Sequence, residues 1–124
     1  MKLHFWTLSS VLLILIILFL SFYPFAISDK EPLFKHQDKI GHFFLYFLLT
    51  FSLIKTFKEE LYLANPFLLS ASISFLLGIF IEILQPILTE YREGSFFDAI
   101  FNLLGIISTL FLVTFKKSFF GTRN

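Results

Sequence analysis

A chain of 124 residues has room for one domain, and here 56% of it is apolar while only 15% is charged. A soluble domain carries roughly a quarter charged residues, so this balance excludes an ordinary soluble fold and points to an integral membrane protein. A formal net charge of +1 gives no electrostatic footprint for nucleic acid, and the absence of cysteine excludes disulfides and thiolate metal sites.

The first segment, Phe5 to Ile27, contains no charged residue and has Val11–Leu20 as an apolar centre, which is long enough to cross a bilayer. Lys2 ahead of it and Ala26-Ile27-Ser28 at its end also fit a secretory signal. The apolar region is longer than a signal core, so an uncleaved anchor is expected. The second segment, 39–57, is short for a span and becomes sufficient if Lys39 and Lys55 snorkel outward. The third, 65–88, opens with Pro66, which suits a first helical turn. Pro86 falls inside its last turns and is expected to kink or loosen that end, beside Gln85. The fourth, 96–115, stops at Lys116-Lys117. The connections are short, so neighbouring helices should be antiparallel. The expected fold is therefore all-α: one domain over 1–124, an integral membrane four-helix bundle with helices at 5–27, 39–57, 65–88 and 96–115.

Lys2, Lys55, Lys58, Lys116, Lys117 and Arg123 fall on one side of these spans, and Lys30, Lys35, Lys39 and Arg92 on the other. Six against four favours both termini in the cytoplasm, in a multi-pass protein of the cell membrane.

Polar residues interrupt the apolar segments at chosen places. Asp38 and His42 open the second, Glu82 and Gln85 close the third, Arg92 follows in the loop, and Asp98 and Asn102 open the fourth. In an alternating bundle these ends share one membrane face, the outer one. Asp38, His42 and Tyr46 form a stripe at four-residue steps, as do Asp98 and Asn102. The stripes continue in small residues: Ser70, Ser74 and Gly78 lead to Glu82, and Gly105 and Thr109 follow Asn102. Small residues at helical spacing let helices approach closely in lipid. Ionisable groups at this depth mark a functional site by default, and at about 1.5 Å per residue the site reaches only a few turns inward.

Asp38-Lys39-x-x-His42-x-x-x-Tyr46, then Glu82-x-x-Gln85, then Arg92-x5-Asp98-x3-Asn102-x2-Gly105 resembles the VanZ-like family. The likeness runs from Asp38 to Gly105. It implies a small bacterial membrane protein of the cell envelope, in a family whose founding member contributes to teicoplanin resistance. It supplies a context without a reaction.

His42, Glu82 and Asp98 are the candidate catalytic residues, since an imidazole exchanges protons near neutrality and a carboxylate at membrane depth needs a partner or a proton. Asp38, Lys39, Tyr46, Gln85, Arg92 and Asn102 are the candidate binding residues, with Arg92 suited to a phosphate or other anionic headgroup. Each has a structural alternative. Arg92 could pair with Glu82 or Asp98 to hold the bundle shut, Asp98 could cap the fourth helix together with Ser95, and Tyr46 could be an interfacial ring. His42, Glu82, Asp98 and Asp38 offer enough ligands for a divalent cation, but there is no paired-histidine motif and the acids lie on different helices. Neither a metal nor another cofactor is assigned.

Whether the protein is an enzyme stays open. The expected partner is a membrane lipid, a lipid-linked substrate or a lipoglycopeptide, which the pocket acts on or simply recognises. A transporter subunit is less favoured, because the first span carries no ionisable group.

Overall fold

Backbone in lipid can satisfy its hydrogen bonds within a segment only as a helix, and each long apolar run of this chain is one. The computed structural model describes residues 4–22, 37–88 and 96–119, with side-chain surroundings for all of these except 37–39 and 116–119. Helix α1 is Phe5–Phe22 and α2 is Gln37–Lys55, which runs into a π-helical turn at Thr56–Glu60. Helix α3 is Pro66–Leu88 and α4 is Phe96–Phe119. All four are long and apolar enough to cross a membrane.

The observed bounds differ from the expected ones mainly at the ends. Residues 23–27 of the expected first helix lie outside the described residues. α4 continues past Lys116-Lys117 to Phe119. α3 passes through Pro86 to Leu88 without ending there, although Pro86 offers no N–H to the Glu82 carbonyl one turn back.

Burial is inverted relative to a soluble protein. The faces turned inward carry Ser70, Ser74 and Gly78 on α3, and Asn102, Gly105 and Thr109 on α4. Large apolar side chains such as Leu68, Leu76, Phe80, Ile83, Phe111 and Phe115 point outward. Lipid rewards that arrangement, because large side chains gain nothing by leaving hydrocarbon while small ones let backbones approach.

Helices adjacent in sequence pack on one another, as the short connections led one to expect, but the most extensive packing is between two helices that are not adjacent. The closest pair is α2 with α4, which run parallel: His42 meets Asn102, Phe43 meets Gly105, and Phe47 meets Thr109. Gly105 makes this possible. A Cβ built there would overlap the Phe43 carbonyl oxygen and lie 3.0 Å from the Phe47 nitrogen. Thr109 Oγ1 fastens the seam by donating to the Phe47 carbonyl at 2.9 Å. α1 packs antiparallel on α2 and also touches α3, and among the described residues it makes no contact with α4. Tyr46, Leu49, Leu53, Ile81 and Ile106 form the central apolar layer, joined by Ile17 from α1.

The end opposite the polar stripes is tied by a feature that hydropathy does not reveal. Glu60, from the π-helical turn, accepts the Trp6 N–H at 2.7 Å, the Thr7 N–H at 2.8 Å and the Thr7 hydroxyl at 2.7 Å. A carboxylate on the exposed N–H groups of a first turn is the favourable charge for a helix N-terminus. Here it is supplied from a distant part of the chain. Ser10 Oγ, 2.8 Å from Ser52 Oγ and 3.1 Å from Thr56 Oγ1, adds a buried hydroxyl cluster beside it.

Candidate functional site

The start of α2, the end of α3 and the start of α4 come together at one end of the bundle, and the C-terminal end of α1 joins them. His42 stands one turn into the second span. The carbonyl oxygen of the Asn102 side chain lies 2.9 Å from His42 Nδ1. An amide oxygen only accepts, so Nδ1 carries the hydrogen and donates it, which leaves the lone pair of a neutral imidazole on Nε2. Nε2 faces Asp98, with Oδ2 3.8 Å away. That separation is within ion-pair range and too long for a hydrogen bond. Glu82 closes the group from α3. One ligand atom each from His42, Glu82 and Asp98 lies within 4.8 Å of the others.

The sequence brings these three together by register. Glu82 lies six residues before the end of α3, or roughly 9 Å at 1.5 Å per residue, and Asp98 is the third residue of α4. His42 follows Gly41, whose missing side chain leaves open space. The three side chains are enclosed without being sealed: Asp98 is 8% exposed as a residue, and His42 and Glu82 are partly buried.

Tyr46 forms the floor. It is 1% exposed and its ring stacks parallel to that of His42, 6.5 Å between centroids. Its ring is thus turned into the bundle rather than toward lipid. Gly78 lets the floor form, since a Cβ there would lie 3.0 Å from Asn102 Nδ2 and 3.4 Å from Tyr46 Cε1. Beneath Tyr46 the bundle interior is the apolar layer around Leu49 and Ile81, crossed by a Thr50 to Ser74 hydrogen bond of 3.0 Å. The polar group is thus confined to one end.

Gln85 has a different task from His42's neighbours. It is 1% exposed, and its Nε2 donates to the Ser21 carbonyl at 2.9 Å, tying the end of α1 to α3. Asn102 sets the imidazole, while Gln85 sets the helix. Asp38 and Lys39 lie in the first turn of α2 with side chains outside the described residues, and Arg92 and Ser95 also lie outside them. The Arg92 pairings and the Ser95 cap expected above concern those residues.

One further contributor to this end, and a polar pair at the opposite end, were not evident in the sequence. Ser21 contributes through its backbone carbonyl, which no residue pattern signals. At the far end of the bundle Glu60 and His4 stand 3.8 Å apart, a pairing that no spacing in the sequence signals. Thr7 and Ser10, polar residues at the start of an otherwise apolar segment, were the available hint that α1 has a polar partner.

Chemically, the cluster presents one oriented imidazole and two carboxylates to a small space at the end of a membrane bundle. It can hold a cation, accept a proton at Nε2, or receive hydrogen-bond donors of a polar group entering from the lipid interface. Comparison with models of known protein families, with curated proteins and with solved structures gives no match for this chain, so its function is read from this geometry.

Proposed function

We propose that this chain is a VanZ-like protein of the bacterial cell membrane, with both termini in the cytoplasm. Its pocket at the outer face acts on or recognises the polar head of an envelope lipid, a lipid-linked compound or a lipoglycopeptide. Through that pocket it contributes to glycopeptide resistance of the teicoplanin kind. The observation that carries this reading is the convergence of His42, Glu82 and Asp98 from three helices at one end of a four-span bundle. Ionisable groups placed inward at that depth are retained for function in membrane proteins.

Two properties favour a lipid head over a translocated solute. The cluster lies at one end of the bundle, the end assigned to headgroups in this reading, and is floored by Tyr46 with an apolar layer beneath. The opposite end is drawn together by Glu60 on the first turn of α1. In this reading His42, with its tautomer set by Asn102, takes or gives a proton at Nε2, and Glu82 and Asp98 supply the balancing charge. In the same reading Arg92, Lys39 and Asp38, which lie next to these helix ends in the sequence, bind the headgroup, with Arg92 the natural partner of a phosphate.

The test is complementation of a deletion strain, with polar lipids and lipid-linked precursors profiled by mass spectrometry and teicoplanin susceptibility measured alongside. Wild-type protein should restore both. His42→Ala, Glu82→Gln and Asp98→Asn, each present in the membrane at the wild-type level, should restore neither. Full restoration by all three variants would remove the pocket from the function.

A further inference from the structure

We propose that His42 Nε2 and one carboxylate oxygen each from Glu82 and Asp98 form a binding site for a single divalent first-row cation, Zn2+ foremost. The proposal deepens the headgroup reading above and rests on it for the metal's role, though not for the metal's binding.

Three observations support the site. First, the ligand atoms are near one another, one from each residue lying within 4.8 Å of the others, so that a shift of about half an ångström brings all three within reach of one ion. Ligands about 2.0–2.1 Å from a common Zn2+ sit about 3.4 Å apart at tetrahedral angles and no more than about 4.2 Å apart at any angle. The His42 Nε2 to Asp98 Oδ2 separation of 3.8 Å falls inside that range. It is too long for a direct hydrogen bond and suits two ligands sharing one ion.

Second, the imidazole is held as metal-binding histidines are. Its Nδ1–H is committed to Asn102 Oδ1 at 2.9 Å, which fixes the ring and leaves the Nε2 lone pair facing Asp98. Asn102 is itself buried on α4, so this orientation does not depend on a surface side chain.

Third, the donor set is selective. Two carboxylates alone would suit Mg2+ or Ca2+, whereas an imidazole nitrogen shifts preference to the borderline transition ions. Three protein ligands leave coordination positions open, as in catalytic rather than closed structural zinc sites. A phosphate or other anionic oxygen of a headgroup would take those positions.

The experiment uses tag-free, full-length protein in detergent, stripped with chelator and titrated with Zn2+ by calorimetry, with metal content measured after gel filtration. Co2+ serves as a spectroscopic probe. One Zn2+ per chain is expected, with visible Co2+ bands of a site of four or five nitrogen and oxygen ligands. His42→Ala, Glu82→Gln, Asp98→Asn and the positioning variant Asn102→Ala should each weaken binding by roughly 10–100-fold. Glu60→Gln, at the far end, should bind as wild type does.

Wild-type protein that elutes monodisperse and helical yet holds no stoichiometric Zn2+ would overturn the site, whatever the variants do. Binding that survives in Glu82→Gln and Asp98→Asn, or Mg2+ binding as tight as Zn2+, would overturn it too. Because no lipid enters this measurement, the two readings fail separately. An empty pocket would leave the lipid-pool result standing. Zn2+ binding abolished by variants that still restore the lipid pools would uphold the site while removing the headgroup role.

Discussion

Replacing Gly105 with alanine tests the parallel α2–α4 seam that positions the pocket. The added Cβ would overlap the Phe43 carbonyl oxygen and sit 3.0 Å from the Phe47 nitrogen. Both are backbone atoms inside a helix, so neither can swing aside, and the two helices must part. Restoring ordinary van der Waals contact needs a displacement of roughly an ångström. The hydrogen bonds on either side of Gly105 are 2.9 Å each, from Thr109 to the Phe47 carbonyl and from His42 to Asn102. That displacement carries both past the usual upper limit of about 3.2 Å. Overpacking costs about 1–3 kcal/mol and each lost bond about 1 kcal/mol, which together predict a loss of roughly 3–5 kcal/mol. At roughly 4 °C per kcal/mol for a chain of this size, Tm in detergent should fall by roughly 12–20 °C, followed by circular dichroism on heating. Gly41→Ala is the control. Its Cβ meets nothing within 4 Å, and it should be neutral or stabilise by up to about 1 kcal/mol. A Gly105→Ala protein that melts with wild type would refute the seam, and with it the placement of His42 against α4.

Gly78→Ala should behave differently, because its Cβ would press on two side chains, Asn102 Nδ2 at 3.0 Å and Tyr46 Cε1 at 3.4 Å, which can yield by a few tenths of an ångström. The expected outcome is a stability loss below about 1.5 kcal/mol with a clear loss of complementation, and full activity would argue that Asn102 does not set His42. Orientation can be tested with single cysteines, since the chain has none of its own. Leu88→Cys, exposed at the pocket end, should react with an impermeant maleimide in intact cells, and Leu63→Cys, exposed at the other end, only after permeabilisation. The reverse pattern would place the pocket in the cytoplasm.

The four spans were legible in the sequence because bilayer thickness imposes length and apolarity directly on each segment, and the inward faces were legible because small and polar residues recur at helical spacing. Ser70, Ser74, Gly78 and Glu82 trace α3's inner face, as Asp98, Asn102, Gly105 and Thr109 trace α4's. The pairing of helices was not legible. Gly105 signals close approach without saying to which partner, and only the fold shows that the partner is the parallel α2 and not the antiparallel α3. Glu60 escaped because its effect depends on a π-helical turn that aims it at the first turn of α1, a geometry with no residue signature. The separation of His42, Glu82 and Asp98 onto three helices counted in sequence against a cation site. In the fold, the three helices bring one potential ligand atom of each residue within 4.8 Å of the others.

The most direct test of the account is the lipid that purifies with the protein. Wild-type protein extracted gently from its native membrane and analysed by native mass spectrometry should retain one class of anionic lipid or lipid-linked compound. Glu60→Gln should retain it equally, while His42→Ala and Glu82→Gln should lose it. The same bound lipids in wild type and in both pocket variants would contradict the claim that these three helices meet to hold a headgroup.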